Sequence, residues 1–249
     1  MSVCREIGCY DRGVIFIERG VMLTPFGYFD LIETFPADGC AMCRLTERDV
    51  QRHLDSIIYE HVTDPLLHAK FRASRGLCMA HGKMLIQPGN SLGVATLYEA
   101  VVDELTKIAQ NITSISPTRG FSRLVSAKSS GNALADALSP DQPCIGCETQ
   151  SASEIRYAQT LAEHITDPKL HTAYAESRGL CLTHFRITLN EAKNTASAKR
   201  LISTQTDIWG KLRAELAEFR RKYDFQNVDE AIGAEGDSWK RAVLLVGGE

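Results

Sequence analysis

Eight side chains in this 249-residue chain form the donor sets that a metal ion requires: Cys40, Cys43, Cys78 and His81, then Cys144, Cys147, Cys181 and His184. Each set is written as CxxC followed by Gly-Leu-Cys-x-x-His, with 34 residues between the inner cysteines of the first copy and 33 in the second. Three thiols and an imidazole complete a tetrahedral shell for zinc, and a CxxC chelates from a single turn. One full set per copy is the simpler partition, although the spacing also allows one copy's CxxC to pair with the other's CxxH. Zinc is favoured over an iron–sulfur cluster, for which four cysteines are usual. Disulfides or a thiol redox pair are the further alternatives. Arg44 and Glu148 follow the two CxxC motifs where covalent haem attachment needs a histidine.

Three thiolates and one divalent ion leave a net negative charge, and Arg75 and Arg178, three residues before the third thiol, are placed to offset it by hydrogen bonding to the sulfurs. A closed shell of four protein donors has no position for substrate, which points to a structural ion and a non-enzymatic protein. The chain has no phosphate-binding Gly-rich loop, no GxSxG and no HExxH. Pro143-Cys144-x-x-Cys147 meets half of a deaminase signature and lacks the other half. Glu60 and Glu163 qualify as general bases only beside an open metal position. His61, Asp64 and His68, repeated as His164, Asp167 and His171, are separated by a proline that breaks the helix needed to align them. His61 and His164 instead suit helix C-termini, where an imidazole complements the dipole.

The elements that must position these donors are helical. Residues 60–81 and 163–184 share 13 of 22 positions, so the cassette is duplicated with its surroundings. Leu45, Val50, Leu54, Ile57 and Ile58 recur at helical period after the first CxxC. Asp64-Pro65 and Asp167-Pro168 predict an N-cap and first helical position, and Gly76 and Gly179 predict left-handed stops. The CxxH then opens a third helix, and a long amphipathic helix closes each copy: Leu92 to Ile112 in the first, Ile202 to Tyr223 in the second.

The expected fold class is therefore mainly all-α, with two pseudo-repeat modules over 28–115 and 144–224. The 1–27 extension carries a short β-hairpin pattern around Glu18-Arg19-Gly20 and two cysteines, Cys4 and Cys9, read as free thiols. Residues 116–143, rich in Ser, Pro, Gly and Ala, predict a solvated linker. The 225–249 tail ends in an amphipathic stretch, Trp239 to Val246, expected to pack on the body. Hydrophobic content of 44% and a net charge of −3 suit a soluble protein and give no global attraction to nucleic acid or an anionic membrane. The small basic cluster Lys193, Lys199 and Arg200 reads as a solvated helix face. No run approaches the roughly 18–20 apolar residues of a membrane span, and the N-terminus lacks a secretory pattern, so a cytoplasmic setting is expected. The partner class expected of the long helices is protein, including a second copy of the chain. A redox- or metal-responsive switch is the alternative role, because zinc thiolates release their ion when oxidised.

The duplicated CxxC and Gly-Leu-Cys-x-x-His, with Ser91-Leu92-Gly93-Val94-Ala95 opening a long helix, resembles an uncharacterised prokaryotic family catalogued as a domain of unknown function. His184-Phe185 matches its pattern and His81-Gly82 departs from it. Lys222-Tyr223-Asp224-Phe225 and Asp237-Ser238-Trp239-Lys240-Arg241 are similar to its C-terminal region, so the resemblance covers about residues 28–247. It implies a helical fold with metal sites and no particular activity.

Overall fold

The computed structural model describes residues 25–113, 130–227 and 229–248. The expected hairpin, Cys4 and Cys9 lie outside them, as do Arg119, Arg123 and Lys128 of the connecting stretch. Among the described residues there are eleven α-helices and no strand, as the periodicity predicts. In chain order they are α1 (Tyr28–Thr34), α2 (Ala41–Ser56), α3 (Pro65–Ala73), α4 (Met79–Leu85), α5 (Ser91–Thr113), α6 (Ser130–Leu138), α7 (Ile145–His164), α8 (Pro168–Glu176), α9 (Leu182–Glu191), α10 (Thr195–Lys222) and α11 (Ser238–Gly247). Among the described residues, no helix is long and apolar enough to cross a membrane.

The local signals act where they are written. Asp64 accepts a hydrogen bond from the Leu66 N–H at 2.8 Å, and Asp167 accepts from Lys169 and Leu170, each with proline at the first helical position. Gly76 and Gly179 have φ of 84° and 80°, a region that L side chains avoid. α2 ends in a π-helical turn, Ile57–His61, which points Ile57 and Ile58 into the core; His61 closes that turn and His164 closes α7.

The chain divides into two compact units that cut across the two sequence copies. Described residues up to Leu45 and from Glu154 onward form one; those of Thr46–Ser153 form the other. The boundaries fall inside α2 and α7. This differs from the expected modules, 28–115 and 144–224, because each CxxC lies in one unit and the copy's own CxxH in the other.

The first unit is built around Leu31, Phe35, Met42, Leu45, Tyr157, Leu161, Leu170, Tyr174, Leu180 and Leu201, all 2% exposed or less. α8 packs on α1 and α10, and α11 packs on α9 and α10, so the tail is part of this unit. The second unit surrounds Val50, Leu54, Ile57, Phe71, Leu85, Leu97 and Val101, with α3 packed on α5. Part of the segment expected to be linker is helix here: α6 packs on α5. Its half-buried Leu134, Ala137 and Leu138 stand at i, i+3 and i+4, a short apolar stripe hidden within a Ser-, Gly- and Ala-rich composition.

Candidate metal centres

Each of the four motifs begins a helix. Cys40 and Cys144 immediately precede α2 and α7, and their carbonyls accept from the N–H groups of Arg44 and Glu148. Cys78 and Cys181 are the N-cap residues of α4 and α9, with ψ of 166° and 161°. N-cap and third-residue side chains turn toward each other over the first turn, as in a capping box. Cys and Cys, or Cys and His, are thereby paired by local geometry. Unpaired N–H groups and the helix dipole at that end favour thiolate over thiol; the Cys147 N–H, for instance, donates to the Cys144 sulfur at 3.4 Å.

Tertiary packing decides which pair meets which. Cys40 and Cys43 converge with Cys181 and His184 inside the first unit, and Cys78 and His81 converge with Cys144 and Cys147 inside the second. All eight predicted donors are used, but the simpler partition, one set per copy, is corrected: CxxC of each copy joins CxxH of the other. Two copies with the same CxxC and CxxH motifs present interchangeable half-sites, so spacing along the chain is satisfied by either arrangement.

In the first site His184 Nδ1 lies 3.5 Å from Cys40, 3.3 Å from Cys43 and 3.2 Å from Cys181, and the sulfurs of Cys43 and Cys181 are 3.8 Å apart. In the second, His81 Nδ1 lies 3.2 Å from Cys78 and 3.5 Å from both Cys144 and Cys147. Cys147 lies 3.5 Å from Cys144 and 3.8 Å from Cys78. Zinc bonds of about 2.3 Å to sulfur and 2.0–2.1 Å to nitrogen, spread tetrahedrally, imply about 3.7 Å between sulfurs and about 3.6 Å between sulfur and nitrogen. The donor sets therefore fit one ion each. None of these six cysteines is in a disulfide, and sulfur separations of 3.5–3.8 Å stand well beyond the roughly 2.05 Å of an S–S bond.

Donors this crowded cannot all lose their protons without a compensating cation. Burial and the neighbouring Cys144 push the Cys147 thiol up to about 12. Burial also acts upward on Cys144, but backbone N–H groups of Cys78 and Cys147 and the His81 side chain outweigh it and draw that thiol down to about 6. Hydrogen bonding to Cys181 and Cys43, with burial, holds Cys40 high, and the same bonds to Cys40 and Cys43 hold Cys181 low. At His184, burial acts downward and is overcome by Cys181 and Cys43, which raise it to about 10. Neighbouring sulfurs are thus pushed in opposite directions within each cluster, and a divalent ion satisfies the same electrostatic demand for every sulfur together.

The supporting contacts were only partly visible beforehand. The hydrogen bonds of Arg75 go to the carbonyls of Arg72 and Ala137, with Asp141 at 3.4 Å, and Arg178 pairs with Asp38. Among the described residues these guanidiniums thus brace loops and the end of α6, not the sulfurs. The outer nitrogen of buried His184 instead faces Glu154 Oε1 at 3.6 Å, an ion-pair separation too long for a hydrogen bond. Gln205, fully buried, accepts from the Leu180 N–H and donates to the Leu180 carbonyl, holding the turn before Cys181; Tyr98 does part of this in the second unit by accepting from the Leu77 N–H at 3.3 Å. A Gln or Tyr inside an amphipathic pattern carries no signal of such a role. Glu60 and Glu163 are engaged on the surface with His61 and Lys193. His68 donates to the Val62 carbonyl at 2.8 Å and His171 meets Thr204, so these imidazoles brace α3 and α8.

Gly146 shows how closely the second site is built. A Cβ there would lie 2.5 Å from His81 Cγ and 2.8 Å from its Cβ and Nδ1, so the ring would have to shift. Gly146→Ala should therefore tilt the imidazole and weaken binding at this site by roughly 10–100-fold, the range seen when groups orienting a ligand histidine are altered. Competition with a chromogenic chelator reads this directly, and unchanged affinity would show that His81 has freedom the packing denies it.

The model of a family of unknown function, DUF6062, matches residues 29–249. The chain is also similar to an uncharacterised 23.9 kDa protein in xynA 3′ region of Caldicellulosiruptor sp. (strain Rt8B.4), 26% identical over 221 residues, covering 88% of this chain and 99% of that one. No solved structure matches.

Proposed function

We propose, for a chain that belongs to the DUF6062 family of unknown function, that it is a zinc-clamped helical scaffold acting through a protein partner and not through catalysis. The observation that carries this reading is the completeness of both donor sets: four protein donors converge at each centre, enough to fill a tetrahedral shell without a substrate atom. An iron–sulfur cluster interposes several irons and sulfides between its thiolates, and sulfurs 3.5–3.8 Å apart suit one ion better. Each ion ties segments distant in sequence, 138 residues for Cys43 and Cys181 and 69 for Cys78 and Cys147, so its binding energy is folding energy. A reducing, cytoplasmic setting suits thiols held as ligands.

Metal analysis of the purified protein tests the reading. Two equivalents of zinc per chain are expected, and a strong chelator should convert cooperative thermal unfolding into a lower, broadened transition. Iron with visible absorption, or a metal-free protein melting at the same temperature, would overturn it. Cobalt substitution separates scaffold from enzyme: a tetrahedral spectrum indifferent to small anions is expected, whereas one that changes on adding them would reveal an open position.

A further inference from the structure

The two sites carry the same donors in unequal surroundings. In the first, Cys40 and Cys181 are 5% and 2% exposed, and His184 is backed by Glu154. Phe185, next in sequence, packs edge-on against Trp209 with ring centroids 5.3 Å apart. α11 ends over this site: a Cβ on Gly248 would stand 3.8 Å from the Cys181 sulfur and 3.9 Å from that of Cys43. In the second, Cys78 is exposed where its counterpart Cys181 is buried, Cys147 is half-buried like Cys43 of the first, and the residue after His81 is Gly82, which has no side chain to cover the cluster. Met79, beside Cys78, is 79% exposed.

Resting on the zinc-clamp reading, we propose that the second site is a modification site, where peroxide-class oxidants attack Cys78 and release one ion while the first site keeps its own. Oxidation follows access, and Cys78 is the exposed donor of its cluster, with a second cysteine sulfur, that of Cys147, close enough to resolve it. Peroxide transfers one oxygen to the Cys78 sulfur as its O–O bond breaks and the other oxygen leaves as hydroxide. The Cys147 sulfur, 3.8 Å away, then displaces hydroxide from the oxidised Cys78 sulfur, forming the S–S bond. Two thiolates lose two electrons, one peroxide gains them, and two protons convert the two hydroxides to water. Zinc keeps its oxidation state and departs, because Cys144 and His81 alone supply half a shell. The first unit holds its ion and structure, so oxidation acts on one unit of the scaffold.

The zinc-loaded full-length chain is the material for the test, with peroxide as the probe and a chromogenic chelator reporting free metal. Prompt release of one of two equivalents is expected, with the Cys78–Cys147 disulfide recovered by peptide mapping. Alkylation of untreated holoprotein should modify Cys78 ahead of every other described cysteine. Release of both equivalents at one rate, or oxidation mapping first to Cys40, Cys43 or Cys181, would overturn the proposal and leave the clamp intact. A protein that starts with no zinc would instead overturn the clamp reading itself.

Discussion

Removing Cys40, Cys43, Cys181 and His184 together should leave one bound zinc, whereas removing Cys40, Cys43, Cys78 and His81 should leave none. The first variant deletes one spatial cluster and spares the other; the second, a whole sequence copy, takes half of each. If every copy bound its own ion the two results would be reversed, so metal content alone decides the arrangement. The consequence for stability is large. Apparent binding free energies for structural zinc are about 10–16 kcal/mol, comparable with the roughly 5–15 kcal/mol that holds a whole domain folded. The first variant should therefore lose the fold of the unit containing α8–α11 and retain that containing α3–α6, which hydrogen exchange resolves segment by segment. The loop closed by the first site is twice as long, 138 against 69 residues, which adds only about 0.6 kcal/mol to the entropy its ion offsets. Burial, far more than loop length, distinguishes the two centres.

Gln205→Ala is expected to destabilise the first unit by about 4 kcal/mol and to loosen its ion, although Gln205 touches no donor atom. The side chain is fully buried, accepts from the Tyr174 hydroxyl and the Leu180 N–H, and donates to the Leu180 carbonyl. Burial holds the Tyr174 phenol protonated, so it remains a donor in need of a partner. Truncation strands three buried polar groups, each costing about 1–3 kcal/mol when nothing replaces the bond, and adds a cavity. The Gly179-Leu180-Cys181 turn then loses the clamp that sets the direction of the Cys181 sulfur. Chemical denaturation with and without chelator separates the two effects: the midpoint should fall in both, and the zinc-dependent gain should shrink. A midpoint within experimental error of the parent would mean that water or a neighbouring group takes over these bonds. Tyr98→Phe, which removes one half-buried bond to Leu77, should cost only about 1 kcal/mol.

The donor pairs and the Asp-Pro helix starts were legible from the chain because each depends on neighbours a few residues apart. A CxxC or CxxH at a helix start needs only one turn to bring its two donors together, and an Asp-Pro caps the helix that follows it. The all-α class follows for the same reason. Which half-sites meet is another matter. The copies are so alike that Cys40-x-x-Cys43 fits the CxxH of either, and only packing of Met42, Leu45, Leu180 and Phe185 in one core selects the second copy's. The carboxylate behind His184, the Gln205 clamp and the unequal shielding of Cys78 and Cys181 also come from residues brought near by the fold, not by spacing. The α6 helix lies between the two cases: its stripe of three half-buried residues acquires meaning only once α5 is beside it. Short-range geometry wrote the donor pairs into this chain, and long-range burial of side chains grouped them into two clusters.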